Sequence, residues 1–289
     1  MNLNNLRKDE INDKLTLYQI KDGLLFGTDA LMLADFVCAE SMGAYKTGVE
    51  FGAGSGVISL LLAAREKIRL IYAVEIQEIY AELAEYNASV NKLENIIKII
   101  CADLKDCDNL YYKNTRILPH AADMIFTNPP YIKYAPAGTR NGAPRASRPT
   151  SCQLPQNEGG CTGGFSGNGK LSAFAPPVNF VDTPLKEGGI TGNGKLSARD
   201  YKNIARREIA CDIFDILKSA ARLIKNGGDF YIVYRPDRLQ SLFAAMQAHN
   251  ITPKKIKFIF AGQNKPASLV LLKGKQGAGE GLVAEHIFI

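Results

Sequence analysis

Thr47-Gly48-Val49-Glu50-Phe51-Gly52-Ala53-Gly54-Ser55-Gly56-Val57 passes from an apolar, β-type segment through three alternating glycines into an apolar helical stretch. A strand that turns straight into a helix is the opening unit of a parallel α/β sheet. The glycines let the backbone pass close to a ligand, and the start of the following helix offers unpaired N–H groups. The pattern is G-x-G-x-G, not the G-x-G-x-x-G of dinucleotide-binding loops, so the neighbouring strand ends must say what the loop holds.

Outward from this stretch the alternation continues. Apolar, β-branched segments predict strands over 47–53, 70–76, 96–101, 123–127, 230–234, 256–261 and 268–272. Helical spacing predicts helices over 57–66, 78–91, 201–224 and 237–249, with Ile79, Leu83, Tyr86 and Val90 along one stripe of the second. The helix over 201–224 is expected to stop at Asn226-Gly227-Gly228. The expected fold is α/β: a Rossmann-like, seven-stranded sheet with helices on both faces. Its last two strands lack an intervening helix, so the last is antiparallel. Ahead of it, Asp22-Gly23 reads as a hairpin turn and Thr28 or Asp29 as the cap of a short apolar helix.

Residues 136–198 break the pattern. They are rich in Gly, Pro, Ser and Asn, and Gly167-Asn168-Gly169-Lys170-Leu171-Ser172-Ala173 recurs at 192–198. With few apolar residues to offset chain entropy, this stretch reads as a low-complexity, disordered insertion. The expected organisation is an N-terminal extension over 1–45 that packs on the site, a main domain over 46–135 and 199–289, and the insertion at 136–198.

Composition bounds the function. The 289 residues carry ordinary apolar content and a net charge of +6. No charged-then-apolar leader opens the chain and no apolar run reaches the ~20 residues that span a bilayer, so a cytoplasmic protein without membrane contact is expected. The six cysteines (38, 101, 107, 152, 161, 211) form no Cys-x-x-Cys, and His120, His249 and His286 stand apart. No metal site is expected. Charge is unevenly spread: residues 1–135 hold 14 Lys and Arg against 18 Asp and Glu, whereas 199–275 hold 15 against 6. A basic C-terminal half suits a polyanionic partner, although charged faces are more often simply solvated.

Four strand ends carry chemistry. Glu50 and Gly52 to Gly56 close the first. Glu75 closes the second, 23 residues after Gly52, where a carboxylate accepts hydrogen bonds from ribose hydroxyls. Asp103 follows the third, where it meets an adenine amino group or merely caps a turn. Asn128-Pro129-Pro130-Tyr131 follows the fourth. Proline bars Asn128 from helical geometry and fixes the next backbone angles. Such a turn accepts two hydrogen bonds from a planar amino group while Tyr131 stacks on the plane that carries it.

Together, the E-F-G-A-G-S-G loop, Glu75, Asp103 and D-x-I-x-x-N-P-P-Y (123–131) resemble class I S-adenosylmethionine-dependent amino-methyltransferases. The stretch 17–36, with Phe26-Gly27-Thr28-Asp29-Ala30, is similar to the opening of bacterial tRNA1(Val) adenine-N6 methyltransferases. Ala205-Arg206-Arg207-Glu208 and the basic stretch 253–272 resemble that family too. The resemblance implies S-adenosylmethionine as cofactor, with Phe26, Asp29, Glu50, Gly52, Gly54, Gly56, Glu75, Ile76, Asp103, Leu104 and Asn128 around it. It implies Asn128, Pro129, Pro130 and Tyr131 as catalytic residues. A tRNA partner held by Arg206, Arg207, Lys254, Lys255 and Lys257, and a monomer, complete the expectation. A protein glutamine-N5 methyltransferase acting on release factors is the main alternative, since a glutamine amide is also planar. A non-catalytic nucleotide-binding module and a DNA adenine methyltransferase fit less of the chain.

Overall fold

A computed structural model of the protein describes residues 5–12, 15–21, 23, 25–129 and 211–289, all within one compact unit. The elements over 136–198 and 201–210, together with Pro130, Tyr131, Arg206 and Arg207, lie outside the described residues.

The chain opens with a hairpin, β1 (Leu6–Asn12) and β2 (Leu15–Ile20), followed by α1 (Thr28–Glu40). The strand–helix alternation then runs β3 (Tyr45–Phe51), α2 (Val57–Ala64), β4 (Ile68–Glu75), α3 (Glu78–Val90) and β5 (Ile97–Cys101). A 3-10 segment, Leu104–Asn109, and a two-residue hairpin, β6 (Tyr111–Tyr112) and β7 (Thr115–Arg116), lead to β8 (Ala122–Thr127). From residue 211 onward come α4 (Ile213–Leu223), β9 (Ile224–Tyr234), α5 (Leu239–Ala248), β10 (Ile251–Phe260), β11 (Ala267–Gln276) and β12 (Val283–Phe288).

Eight strands form the main sheet in the order β12-β10-β11-β9-β8-β3-β4-β5. Its pairs are parallel except where β11 lies antiparallel to both β9 and β10. The α/β reading and the antiparallel strand at 268–272 therefore hold, with one more strand than expected. That eighth strand, β12, sits at the sheet edge with mostly exposed side chains, so it carries no period-2 burial pattern to read.

Burial alternates along the strands as a pleat demands. Met124, Phe126, Tyr231 and Val233 face a core shared with α1 and α2, while Ile125, Phe230 and Ile232 face one shared with α4 and α5. The sheet is thus covered on both faces. Helix α2 buries Val57 through Ala63, which explains why it is apolar all round but for Ser59.

Three local expectations are corrected. The helix before β9 ends at Leu223, not at the glycines. Ile224 is fully buried, takes extended angles and pairs with Ala122, so the chain enters the strand there. Asn226-Gly227-Gly228 instead forms a bulge between the Ala122–Ile224 and Met124–Asp229 pairs, with Gly227 at φ +74°. The described hairpin pairs β1 with β2, upstream of Gly23, and Asp22 lies outside the described residues; the N-cap of α1 is Gly27, with no side-chain cap. On α3 the buried face is Tyr80, Leu83, Ala84, Asn87 and Ala88, and Val90 is exposed. Helix α3 rests on β2 as well as on β4 and β5.

The topology decides where a ligand belongs. From β3 the chain winds to β4 and β5 on one side, then returns to β8 on the other side of β3. The order reverses between β3 and β8, and open α/β sheets bind ligands outside the carboxyl ends of strands at such a switch point.

Candidate active site

Phe51 of β3 pairs with Thr127 of β8 and with Val74 of β4, so their carboxyl ends lie level. The glycine loop, Glu75 and Asn128 therefore surround the switch point. Gly52, Gly54 and Gly56 all take positive φ (67°, 54° and 79°), which only glycine adopts without strain. They differ in what they face. A Cβ on Gly52 or Gly54 would meet nothing within 4 Å, whereas one on Gly56 would meet the Ala84 Cβ at 3.3 Å. The first two glycines border open space where a ligand can press on the backbone; the third packs on α3.

Glu75 ties this loop to β4. It is only 6 % exposed; its Oε2 accepts from the Gly54 N–H (2.8 Å) and its Oε1 from the Gln77 N–H (2.9 Å). Burial pushes its pKa up, while the N–H bonds from Gln77, Gly54 and Ile76 pull the other way. Beside it Ile76 presents an apolar side chain that is 44 % exposed, a large hydrophobic surface left uncovered next to the cleft. Glu50 points beneath the loop, where it accepts from the Ser59 hydroxyl of α2 and is 1 % exposed. Burial raises it to about 8, with the charge of Glu75 adding to the rise.

Asp103 caps the 3-10 segment by accepting from the Lys105 N–H (2.9 Å), and its other oxygen lies 3.7 Å from the Lys105 ammonium. Leu104 packs on the core, and its carbonyl accepts from Ser219 of α4 (2.9 Å). Phe26 packs against the core under α1, its N–H bonded to Gln19 Oε1 (2.8 Å). Asp29, in the first turn of α1, accepts from the Ala30 N–H (3.0 Å) and from the Asn128 side-chain Nδ2 (3.0 Å). Residues 99 apart in sequence thus meet. Pro129 is buried behind them.

The three described lysines expected at a polyanion sit elsewhere and carry internal partners. Lys254 donates to the Gly279 and Glu280 carbonyls (3.3 and 3.1 Å). Lys255 bridges Glu40 (2.8 Å) and Glu285 (2.7 Å). Lys257 reaches Glu285 (3.3 Å) and lies 5.6 Å over the Phe36 ring.

Two buried amides escaped the sequence reading. Gln19, fully buried, holds the chain before α1 through Phe26 and is itself bound to Asp9 (2.6 Å). Asn87 of α3, also fully buried, donates to the Tyr18 and Ser55 carbonyls (both 2.9 Å) and accepts from the Tyr18 N–H (2.8 Å). It therefore fastens the N-terminal hairpin to the glycine loop. Its signal was present: Asn87 and Asn91 stand one turn apart, and Asn91 grips Thr16 in the same way.

A cavity of about 530 Å³ opens at the amino ends of β3, β8 and β9. Its walls hold the Lys273–Asp229 ion pair (3.3 Å) and a hydrogen bond donated by the Tyr45 hydroxyl to Asp229 (2.7 Å). It lies at the wrong end of the strands for the loop, Glu75 and Asn128.

The span 23–140, which contains every one of these cleft residues, matches the family model of the methyltransferase small domain. The fold is that of a methyltransferase. A predicted O-methyltransferase from Agrobacterium tumefaciens superposes with a TM-score of 0.53 at 16 % identity, covering 90 % of this chain and 86 % of the other. A tRNA m1G37 methyltransferase from M. jannaschii gives 0.52 at 12 % identity, over 95 % and 58 %. Both likenesses concern the fold. Among curated proteins, tRNA1(Val) (adenine(37)-N6)-methyltransferases from Shewanella baltica and Porphyromonas gingivalis are 30 % identical over 112 and 108 residues. These alignments cover 38 % and 37 % of this chain, which spans less than half the length of those relatives, 43 % and 41 %. The enzyme of that name from Aliivibrio salmonicida is 24 % identical over 213 residues, 72 % of this chain and 86 % of its own.

The cleft suits S-adenosylmethionine, the cofactor that the likeness to methyltransferases implies. The open faces of Gly52 and Gly54, the buried Glu75 carboxylate and the exposed Ile76 side chain offer backbone, charge and apolar surface in one place. Among the described residues no group of three or more His, Cys, Asp or Glu could hold a metal ion. No described helix is long and apolar enough to cross a membrane.

Proposed function

We propose that this protein transfers a methyl group to the exocyclic N6 of an adenine in tRNA. The observation that carries the reading is the Asn128 amide, held by Asp29 next to the open glycine loop at the switch point. The names of the curated relatives support the choice of tRNA.

When bound, S-adenosylmethionine supplies an electrophilic methyl group on a sulfonium. The loop residues Gly52 and Gly54 admit it, Gly56 sets the turn into α2, and Glu50 braces the loop from below. Glu75 keeps lone pairs that would accept from ribose hydroxyls beside its two N–H bonds, Ile76 and Leu104 would flank the adenine end, and Asp103 would accept from its amino group. Phe26 and Asp29 close the cleft from the N-terminal side.

The acceptor amine is a poor nucleophile because its lone pair is delocalised into the ring. The Asn128 side-chain oxygen and the Pro129 carbonyl accept its two N–H bonds and favour tetrahedral geometry at nitrogen. Pro130 keeps the turn rigid, and Tyr131 stacks on the base. The S–CH3 bond breaks as the N–CH3 bond forms, leaving a neutral thioether, and the proton displaced from nitrogen passes to solvent. Positioning and electrostatics therefore carry the rate, with no strong general base needed. A base inside a duplex cannot reach such a turn, so the target is unpaired, as in an anticodon loop.

Phosphates are held by Arg206 and Arg207. Lys254, Lys255 and Lys257 contribute only as far as they exchange their internal partners.

Mass spectrometry of tRNA from cells with and without the gene tests the reading. Loss of one N6-methyladenosine from one tRNA is expected. Unchanged tRNA, with transfer instead to the glutamine of a release factor, would replace adenine by a glutamine amide.

A further inference from the structure

We infer that Asp29 is a positioning residue that decides which end of the Asn128 amide meets the acceptor, an inference that rests on the amino-nitrogen reading above. The two ends of an asparagine amide are nearly the same size, so shape alone does not orient it. Charge does. A carboxylate accepts hydrogen bonds and donates none, so at 3.0 Å from Asp29 Oδ2 the amide must present its nitrogen. Its oxygen is turned the other way, and it is the oxygen that must receive an amino N–H.

The carboxylate is itself anchored. Asp29 Oδ1 accepts from the Ala30 N–H (3.0 Å), which fixes the rotation of the carboxyl group and leaves Oδ2 toward Asn128. Gly27 makes this possible, since a Cβ there would fall 2.5 Å from Asp29 Oδ1. The segment before it is held through Phe26, the buried Gln19 and Asp9. The N-terminal segment thus does more than cover the cofactor: it sets the polarity of the catalytic amide.

Substitution at Asp29 separates this role from a structural one. In Asp29→Asn the side-chain oxygen stays on the Ala30 N–H and the new NH2 faces residue 128. Asn128 must then turn its own oxygen inward, which leaves its NH2 facing the N–H groups of the acceptor. Asp29→Ala lifts the carboxylate's demand without imposing the opposite one. The isosteric variant should therefore be the worse enzyme. Single-turnover transfer at saturating S-adenosylmethionine should fall by about 100-fold in Asp29→Asn and about 10-fold in Asp29→Ala, in the range of one lost hydrogen bond to the reacting group. Calorimetric affinity for S-adenosylmethionine should change equally in both variants, because both remove the same charge from the cleft, so their order at saturating cofactor reads the amide orientation alone.

A structural role for Asp29 predicts the opposite order, because Asn keeps both the shape and the Ala30 bond. Asp29→Asn equal to or better than Asp29→Ala would overturn the inference. So would a tenfold loss of cofactor affinity with normal transfer at saturation, which would make Asp29 a cofactor ligand. Asparagine-labelled protein gives a readout independent of turnover. Nuclear Overhauser contacts from the Asn128 amide protons to the start of α1 should be present in wild type and lost in Asp29→Asn; their absence in wild type would also overturn it. If wild type keeps those contacts but methylates no tRNA, the amide orientation stands and the tRNA reading falls.

Discussion

Replacing Glu50 by glutamine should stabilise the protein at pH 8 and leave it unchanged near pH 5. Glu50 is 1 % exposed beneath the glycine loop, and burial raises its pKa from 4.5 to about 8. A carboxyl whose folded value exceeds its unfolded value binds its proton more tightly when folded. Its contribution is therefore fully present below about 4.5, is lost as pH rises, and is gone above about 8. Linkage is worth about 1.4 kcal/mol per pH unit, which sets a ceiling near 5 kcal/mol for the whole window. Water entry and relaxation around the charged form reduce this, so about 2–4 kcal/mol is the expected loss in wild type. Glutamine does not titrate, and its oxygen still accepts from the Ser59 hydroxyl. Urea unfolding of both proteins at intervals from pH 5 to 8 reads the difference directly. Parallel stability profiles across that range would refute a charge-penalised Glu50. Burial likewise raises the pKa of Glu75, so the variant should keep a shallower slope of the same sign. A cationic cofactor favours ionised Glu50, so wild-type affinity for S-adenosylmethionine should rise with pH across the window and flatten in Glu50→Gln.

The other predictions concern single contacts. Asn128→Ala should abolish transfer while cofactor affinity by calorimetry stays within about threefold, as expected for a contact made only to the acceptor; a large loss of that affinity would reassign Asn128 to the cofactor. Gly54→Ala should cost about 1–2 kcal/mol in unfolding for its positive φ yet lower S-adenosylmethionine affinity by tenfold or more, on the order of 1.4 kcal/mol, because its methyl group enters the open face of the loop; unchanged affinity would place the cofactor elsewhere. Asn87→Ala leaves the Tyr18 N–H and the Tyr18 and Ser55 carbonyls without this partner and should destabilise by about 2–4 kcal/mol in denaturant, where a loss below ~1 kcal/mol would mean that water replaces the clamp. Lys255→Ala and Lys257→Ala together should change the salt dependence of tRNA binding by less than the ~0.9 in log–log slope expected for one phosphate contact, because both are paired with glutamates; a change near ~1.8 would show that they hold phosphates.

Much of this molecule is legible in the residues. Continuous apolar runs mark strands buried on both faces, and β3, β4, β5 and β8 fall within two residues of their expected bounds. The glycines, Glu75 and Asn128 are legible as strand ends because chemistry there needs particular residue types. Asn226-Gly227-Gly228 misleads because the same glycines serve a helix stop or a strand bulge, and only pairing with β8 selects the second. Edge strand β12 gives little signal because the burial that patterns a strand is missing.

Sequence by itself determined the local questions at this site: which backbone positions tolerate a ligand and where the carboxylates fall. Each depends on one residue and its neighbours. Tertiary structure decided the pairings. It set Asp29 against Asn128, Asn87 against the glycine loop, and the C-terminal lysines against glutamates. The strand order placed the reversal between β3 and β8, and with it the cleft. A hydrogen bond between residues 99 apart leaves no periodic trace in the chain, because its energy depends on where two elements come to rest and not on what lies beside either in sequence.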